Sequence, residues 1–387
     1  MSKLEELIAE LCPNGVKYEK LESNCILLDS ERRPVTKKDR NSGIYPYYGA
    51  NGIQDYVDEY IFDGTFLLIG EDGSVLNTDG SPILNWATGK IWVNNHSLIL
   101  REKKGTSLRY IYYALSTIDI SSVVRGIPPK LNQKSLNNIT IPVPPLPVQK
   151  EIVRILDTFA ELTAELTAEL TKRKQQYQYY RDNLLKKENK SIMTLNDVCK
   201  FQNGFSFKSN LFKDTGEPIL RITNIKNDRI VLDNIVFFDK SDYKEDLSSF
   251  IVENGDFVVA MSGATTGKIG LNNTEKKLFL NQRVGKFIPY KKIILKRYLY
   301  YFLLSKSDEI YQMADGSGAQ PNLSSESLKK MKIPVPPLAE QARIVSILDR
   351  FDTLCNDLTS GLPAEIEARR KQYEYYRDKL LTFKEAV

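Results

Sequence analysis

The sequence predicts an α+β protein with two mixed α/β domains, two long antiparallel coiled-coil helices and an internal pseudo-two-fold repeat. Three observations predict this fold. The hexapeptide Ile-Pro-Val-Pro-Pro-Leu occurs at 141–146 and again at 333–338, and a stretch with apolar residues at helical spacing follows each copy. Short apolar runs bounded by turn residues precede each copy. With 387 residues, the chain can bury more than one core, and we expect a domain at 1–146, a helix at 147–188, a domain at 189–338 and a helix at 339–387.

The repeat extends well beyond the hexapeptide. Ile-Val-x-Ile-Leu-Asp at 152–157 returns at 344–349, an offset of 192, whereas Gln-Tyr-x-Tyr-Tyr-Arg-Asp at 176–182 returns at 372–378, an offset of 196. The second copy has therefore gained four residues. Upstream, Arg-Tyr-x-Tyr-Tyr at 109–113 matches 297–301, and a short buried helix is expected at each. The middles of the domains align poorly, and 47–52 has no clear counterpart to 221–225.

Prolines at three of six positions exclude a helix for the hexapeptide and favour a stiff extended chain. One interpretation is a proline-rich ligand for an aromatic groove of another protein. The position of both copies, between a predicted domain and a predicted helix, instead indicates a segment that ends the domain and starts the helix. Among the apolar runs of the domains, we expect strands at 65–69, 91–94, 97–100, 219–225, 230–238, 257–261 and 278–280.

Both helical stretches carry an apolar stripe, and the two stripes are predicted to pair as a two-helix coil. The central stretch repeats Thr-Ala-Glu-Leu. Each such unit adds about 6 Å of helix, so the repeats are interpreted as a spacer, although Ala, Glu and Leu are also simply strong helix formers. Pro363 and the four extra residues should break or kink the distal helix. The pairing leucines are expected to be Leu162, Leu166, Leu170, Leu354 and Leu358.

Several absences argue against catalysis by the chain alone. His96 is the single histidine, and the four cysteines are far apart with no Cys-x-x-Cys pair, so neither a metal site nor a disulfide framework is expected and a reducing, cytoplasmic location fits. Gly-Ala-Thr-Thr-Gly-Lys-Ile at 263–269 lacks the spacing and the hydroxyl of a phosphate loop. The sequence contains no run of eighteen apolar residues, so no membrane span is predicted. The net charge of +5 is compatible with a polyanionic partner, although short basic runs are also typical of solvated helix faces.

Taken together, these features resemble the specificity subunit of type I restriction-modification systems. The resemblance covers the whole chain and depends on the architecture, the paired hexapeptides, Gly-Ala-Gln-Pro-Asn-Leu at 318–323 and the repeated Tyr-Tyr-Arg-Asp-x-Leu-Leu. It implies that 1–146 and 189–338 are target recognition domains that bind a split, asymmetric site in double-stranded DNA, and that the helices are conserved spacers. The chain itself is then non-catalytic and carries no cofactor.

The resemblance also implies partner subunits. Two modification subunits would dock on this chain and methylate adenines with S-adenosylmethionine, and restriction subunits that use ATP and Mg would join them. Two other classes remain open from the residues alone: a stand-alone DNA-binding regulator that dimerises through its coiled coil, and a self-sufficient enzyme. Copurification separates the first from the specificity subunit.

Base reading requires polar side chains on loops that reach the groove edges, with Asn and Gln suited to adenine and Arg or Lys to guanine. Each candidate has an equally good alternative as a turn-stabilising residue. The candidates in the first domain are Tyr48, Asn51, Asn94, Asn95, His96, Arg125 and Lys130, and those in the second are Arg221, Asn224, Thr265, Thr266, Lys268, Gln282, Arg283, Gln320 and Asn322.

Overall fold

Residues 2–186, 191–226, 228–314, 321–357 and 360–386 are described by a computed structural model of the chain. Two of the predicted residues, Gln320 and Leu358, lie outside the described residues. The described chain forms two units, of which the first comprises Met1–Thr167 with Glu365–Val387 and the second comprises Ala168–Ala364.

The first unit is built around one mixed sheet. Its order is β2-β7-β5-β6-β3-β4, with every pair antiparallel except β3 and β6. The strands and helices are α1 (Lys3–Leu11), β1 (Tyr18–Lys20), α2 (Leu21–Asn24), β2 (Cys25–Leu27), β3 (Ser42–Gly49), β4 (Gly52–Val57), β5 (Phe62–Gly70), β6 (Leu84–Val93), β7 (Ser97–Glu102), α3 (Leu108–Leu115), α4 (Gln133–Asn137) and β8 (Thr140–Pro142).

Burial on both faces explains why the central strands read as unbroken apolar runs rather than as alternating ones. In β5, Leu67 and Ile69 belong to one core cluster, whereas Phe66 and Leu68 belong to the cluster on the opposite face. Helix α3 packs on the first of these clusters with six further apolar or aromatic side chains. The strands predicted at 65–69 and 97–100 lie within β5 and β7.

The larger sheets of the second unit have the orders β10-β19-β16-β17-β13-β12 and β14-β11-β18-β15, and a two-stranded sheet pairs β20 with β9. Its elements are β9 (Ser191–Thr194), α6 (Leu195–Val198), β10 (Cys199–Asn203), β11 (Glu217–Leu220), β12 (Ile225–Lys226), β13 (Arg229–Ile230), β14 (Val236–Phe238), β15 (Ile251–Val252), β16 (Phe257–Ala260), β17 (Ile269–Leu271), β18 (Leu278–Leu280), β19 (Val284–Pro289), α7 (Lys296–Ser305), α8 (Ser307–Gln312), α9 (Ser325–Lys329) and β20 (Lys332–Val335).

The strand predicted at 230–238 is wrong as a single element. Asn234 adopts a positive φ of 53°, a left-handed conformation that a continuous strand excludes. The apolar run therefore divides between β13 and β14, which belong to different sheets. The strand predicted at 219–225 is also wrong as a single element, because β11 ends at Leu220 and β12 begins at Ile225 in the other sheet. The strands expected at 91–94, 257–261 and 278–280 are present in β6, β16 and β18.

The hexapeptides are interior segments in both units. The first copy forms β8, which pairs antiparallel with β1, and the second forms β20, which pairs antiparallel with β9. Ile141 and Ile333 are fully buried. The hydroxyl of Tyr110 donates to the Pro142 carbonyl at 2.9 Å, and Tyr298 donates to Pro334 at the same distance. Buried strands that lead into helices support the boundary interpretation over a ligand for another protein.

A glutamine one turn into each following helix fixes the chain after the hexapeptide. Gln149 is fully buried, accepts from the Ser107 amide at 2.9 Å and donates to the Pro144 carbonyl at 2.7 Å. Gln341 repeats this pattern in the second unit with the Leu295 amide and the Pro336 carbonyl, both at 2.8 Å. The proline-rich segment lacks amide donors, so these side chains satisfy carbonyls that would otherwise be buried unpaired.

The long helices are α5 (Leu146–Leu184), α10 (Leu338–Asn356) and α11 (Leu362–Leu381). In the first unit, the ring of Phe159 on α5 stacks on Tyr376 of α11 at 5.5 Å. In the second unit, Tyr180 on α5 stacks on Phe351 of α10, also at 5.5 Å. The ring of Tyr177 lies 6.3 Å from that of Phe351. Burial raises the pKa of the Cys355 thiol, and the nearby charge of Lys174 opposes this shift. Residues earlier in α5 thus lie beside residues later in α10, so α10 runs antiparallel to this part of α5.

Aromatic residues contribute contacts between these helices that the leucine prediction did not include. Leu162 and Leu354 are 41% and 37% exposed, while Leu166 and Leu170 are half-buried. The predicted interruption of the distal helix occurs between Asn356 and Leu362, just before Pro363. Pro363 therefore lies in the first turn of α11, where a missing amide donor has no cost. No helix of the described ranges is long and apolar enough to cross a membrane.

Candidate nucleic-acid interface

Four segments of the first unit meet at one end of its sheet, and we refer to them as the first loop cluster: 50–51, 71–74, 94–96 and 125–130. Backbone hydrogen bonds hold them together. The Glu71 amide donates to the His96 carbonyl at 2.9 Å, the Leu131 amide donates to the Glu71 carbonyl at 2.7 Å, and the Gly73 amide donates to the Pro129 carbonyl at 3.0 Å.

Side chains of predicted residues add to these contacts. Nδ1 of His96 lies 2.5 Å from Oδ1 of Asp72, and Nζ of Lys130 lies 3.4 Å from Oε1 of Glu71. The Asn51 amide donates to the Ser74 hydroxyl at 2.7 Å. The structure thus brings five predicted residues together with their side chains exposed: Asn51, Asn95, His96, Arg125 and Lys130.

The second unit has a corresponding set, the second loop cluster, formed by 206, 221–224, 261–268, 281–283 and 321–322. The Met261 amide donates to the Arg283 carbonyl at 2.9 Å, the Leu323 amide donates to the Met261 carbonyl at 2.7 Å, and the Gly263 amide donates to the Pro321 carbonyl at 3.1 Å. The predicted residues with exposed side chains here are Lys268, Gln282, Arg283 and Asn322.

The backbone hydrogen bonds of the two clusters correspond one to one. The backbone of Glu71 donates to His96 and accepts from Leu131. The backbone of Met261 likewise donates to Arg283 and accepts from Leu323. His96 and Arg283 therefore occupy equivalent backbone positions in the two units. By the same criterion, Lys130 corresponds to Asn322, because each forms an isolated bridge with the residue after Glu71 or Met261.

The equivalence extends to segments that the sequence comparison could not align. The Asn94 amide donates to the Tyr48 carbonyl at 3.0 Å, and the Asn281 amide donates to the Leu220 carbonyl at 3.1 Å. The segment at 47–52 therefore does have a structural counterpart, which begins at Ile219, and the expectation that it had none is wrong.

Charge distinguishes the equivalent clusters. In the first, Glu71 forms an ion pair with Lys130, and Asp72 lies within hydrogen-bonding distance of the His96 ring. In the second, Met261 and Ser262 take their places, so Arg283 meets no carboxylate from this loop. Two frameworks with the same backbone hence present different hydrogen-bonding and charge patterns.

Four predicted residues do not face outward, and here the structure corrects the prediction. Tyr48 belongs to an apolar core cluster. Asn94, Asn224 and Thr266 are at most 3% exposed, and their polar atoms are used internally. Asn224 donates to the carbonyls of Val231 and Asp233, both at 3.2 Å. These residues shape the loops, as short polar side chains commonly do in turns.

Three further residues have mixed positions. Arg221 is half-buried and donates through Nη2 to the Asn234 carbonyl at 2.9 Å. Thr265 donates to the Ile222 carbonyl at 3.4 Å. The exposed Gln282 accepts from the Ser206 hydroxyl at 2.8 Å. Arg221 and Thr265 therefore position the loop, whereas Gln282 keeps its amide group free to donate outward.

A basic segment of the first unit escaped the sequence reasoning. Arg33, Lys37 and Lys38 are exposed, and the neighbouring Arg32 donates to Glu71 and to the Ser97 carbonyl, both at 2.6 Å. The segment thus adjoins the first loop cluster. The sequence does carry a signal for this segment. Two basic pairs, at 32–33 and 37–38, are separated by three residues, the first of which is Pro34.

In the part of the chain that the structure describes, no group of three or more His, Cys, Asp or Glu side chains is placed to hold a metal ion. The exposed predicted residues of the two clusters are polar or cationic side chains on loops that backbone hydrogen bonds hold together. Such side chains suit hydrogen bonding to base edges and contacts with phosphates.

Comparison with known proteins assigns the family. A model of the type I restriction modification DNA specificity domain matches residues 13–173 and 187–368. The chain belongs to this family. As a member of the type I specificity family, it is 37% identical over 380 residues to a putative type I restriction enzyme specificity subunit of Haemophilus influenzae, covering 95% of this chain and 96% of that protein.

Two other similarities agree with this assignment. The EcoR124I/EcoR124II type I restriction enzyme specificity subunit of Escherichia coli is 37% identical over 291 residues, which cover 72% of this chain and 71% of that protein. A crystal structure of a type I restriction-modification S subunit from M. genitalium shares the fold of this family member, with a TM-score of 0.62 at 16% identity over 95% of this chain and 96% of that one.

Proposed function

We propose that this specificity-family chain is the non-catalytic, DNA-reading subunit of a cytoplasmic type I restriction-modification complex. The observation that carries the proposal is the equivalence of the two loop clusters, which share a backbone framework but present different side chains. One framework with two different reading surfaces is what recognition of a bipartite, asymmetric site requires.

The candidate base readers are the exposed members of each cluster. Arg283 suits the two acceptors of guanine, and Gln282 suits adenine. In the first cluster, Asn51, Asn95 and His96 offer hydrogen-bonding groups, while Arg125 and Lys130 suit phosphates. The basic segment with Arg33, Lys37 and Lys38 adds phosphate contacts that position the duplex without reading it.

Repeated helical features support two equivalent docking sites for partners. Tyr179 and Tyr375 occupy corresponding positions of the repeated Tyr-Tyr-Arg-Asp motif, and they are 66% and 62% exposed. Exposed tyrosines are enriched among residues that dominate interface energies. Two modification subunits therefore bind, each supplying S-adenosylmethionine-dependent adenine methylation, and restriction subunits that use ATP and Mg complete the complex.

The proposal is tested by coexpressing the tagged chain with a type I modification subunit from the same genome. We expect a stable complex with two modification subunits per chain, and methylation of adenine in duplex DNA only when both proteins and S-adenosylmethionine are present. Specific DNA binding and repression by the isolated chain, with no capture of a methyltransferase, would instead establish a stand-alone regulator. Methylation by the chain alone would contradict the non-catalytic assignment.

A further inference from the structure

Ile127 projects from the first loop cluster as an apolar side chain at the tip of a hairpin. Its exposure is 102% of the reference value, the highest among the large hydrophobic residues described, and Ile44 follows at 78%. A single exposed apolar residue is ordinary on a protein surface. The position of Ile127 and the rigidity of its support are what distinguish it.

The hairpin that carries Ile127 is closed and anchored. The Arg125 amide donates to the Lys130 carbonyl at 3.0 Å, and the Lys130 amide donates to the Arg125 carbonyl at 2.8 Å. Gly126 has a φ of +90°, a conformation that favours glycine. The Gly73 and Leu131 amides fasten the base of the hairpin to the 71–74 loop. The isoleucine is thus presented on a preformed loop, and binding need not order it.

Cations flank the apolar tip. Arg125 and Lys130 are exposed on the two arms of the hairpin, and His96 lies on the neighbouring loop. An apolar side chain between two cations fits a kinked duplex, in which a wedge separates adjacent base pairs while the cations meet the phosphates on either side. Proteins that bend DNA use Ile, Leu, Phe, Met or Pro in this way.

We infer that Ile127 is a wedge that inserts between stacked base pairs in the half-site read by the first unit. This inference rests on the proposed function, because it requires that the first loop cluster face DNA. It also predicts an asymmetry. At the repeat offset of 192, Ala319 corresponds to Ile127 in the sequence, and a methyl group is too short to separate a base step. Only one half-site of the pair is then unstacked by this chain.

The test compares wild type with Ile127→Ala, Ile127→Met and the matched surface control Ile44→Ala, each assembled with the modification subunits. The probe is a duplex containing both half-sites, with 2-aminopurine placed singly at successive positions and a dye pair at the ends to report bending. We expect wild type to raise 2-aminopurine emission at one step of one half-site. Ile127→Ala should abolish this rise, reduce the bend and weaken binding about tenfold, while Ile127→Met and Ile44→Ala stay close to wild type.

Equal emission, bend and affinity for wild type and Ile127→Ala, with specific binding intact, would overturn the wedge. So would loss of modification-subunit capture by Ile127→Ala with normal DNA bending in the complex that remains, because Ile127 would then be a protein-docking residue. Failure of the proposed function has a different signature: wild type itself would show no preference for the half-site duplex over a scrambled one.

Discussion

The guanidinium of Arg297 donates to the Asp349 carboxylate through Nε at 2.9 Å and through Nη2 at 2.6 Å. The Tyr301 hydroxyl donates to the same carboxylate oxygen at 2.6 Å, and burial together with this carboxylate raises the pKa of that hydroxyl. Arg297 and Tyr301 lie on α7, and Asp349 lies on α10. The contact therefore fastens the buried helix α7 to the helix that follows the hexapeptide, and Arg109, Tyr113 and Asp157 repeat it in the first unit.

Replacing Arg297 with alanine should destabilise the second unit. The Asp349 side chain is 42% exposed, so water partly screens the pair, and we expect a loss of about 1–3 kcal/mol in the free energy of unfolding. Arg297→Lys should recover only part of this, because an ammonium group cannot form the paired contact. Chemical denaturation of the purified complex measures the effect.

Arg343→Ala provides the matched control, because Arg343 lies on α10, the helix that carries Asp349. Its ion pair with Glu340 is a surface contact, 57% and 38% exposed, and should contribute roughly 0–0.5 kcal/mol. If Arg297→Ala proved no more destabilising than Arg343→Ala, the fastening role of the Arg297–Asp349 contact would be wrong.

Substituting Arg283 should change which sequence is recognised in one half-site only. A bidentate contact between arginine and guanine discriminates by about 1–3 kcal/mol, so Arg283→Ala should relax recognition at one base pair and leave the other half-site unaltered. His96→Ala should act on the other half-site. Binding competition against duplexes mutated at each position measures both effects.

Lys37→Ala, in the basic segment that should contact phosphates without reading bases, is the control for Arg283→Ala. A lysine that contacts only phosphate should weaken binding evenly across sequences and reduce the salt dependence. An even loss of affinity for Arg283→Ala, without any change in base preference, would remove Arg283 from the set of base readers.

The buried thiols should be chemically silent in the folded protein. Cys12, Cys25, Cys199 and Cys355 are all buried, and burial raises the pKa of Cys25 and of Cys199 to about 12. Since the thiolate is the reactive form, a disulfide reagent at pH 8 should label none of them until the protein unfolds. Rapid labelling of native protein would show that these sites open without global unfolding.

The same shifts give a pH dependence. An exposed thiol ionises near pH 9.0, whereas these two stay neutral in the folded state until about pH 12. Between these values the unfolded state loses protons that the folded state retains, so stability should fall as the pH rises. Replacing both Cys25 and Cys199 with valine should make the free energy of unfolding depend less steeply on pH in this range. An unchanged dependence would contradict the raised pKa values of the two thiols.

Changing the number of Thr-Ala-Glu-Leu units should alter the gap in the recognised site. One unit adds four residues and about 6 Å to α5, without touching either loop cluster. We expect an inserted or deleted unit to lengthen or shorten the gap while both half-sites remain the same, as read from methylated DNA. An unchanged gap would reject the spacer interpretation.

The framework of this protein was accessible from sequence because it is repeated. Proline positions, the Gln149 and Gln341 anchors and the aromatic motifs are fixed by buried hydrogen bonds, so both copies keep them. The helix interruption was also predictable, since Pro363 and four extra residues mark it. Gly361 completes it, because a Cβ there would lie 2.5 Å from the Thr353 carbonyl oxygen.

The loop clusters were less accessible because their equivalence resides in backbone hydrogen bonds. Tyr48 and Leu220 share a role without sharing a side chain. Moreover, 41 residues separate Leu220 from Met261, whereas 23 separate Tyr48 from Glu71, so a fixed offset fails within the domains. Burial also reassigned Asn94, Asn224 and Thr266, whose side chains satisfy nearby backbone groups rather than facing outward. Polarity alone cannot distinguish a turn-stabilising amide from one that reads a base.

Methylome sequencing of cells that carry this chain with its modification subunit tests the central claim most directly. Two equivalent but differently equipped loop clusters predict a single motif made of two unlike half-sites, separated by a fixed gap and methylated on adenine in each half. The motif should disappear when the gene for this chain is deleted. A continuous or palindromic motif, or a motif that persists without the chain, would contradict the account.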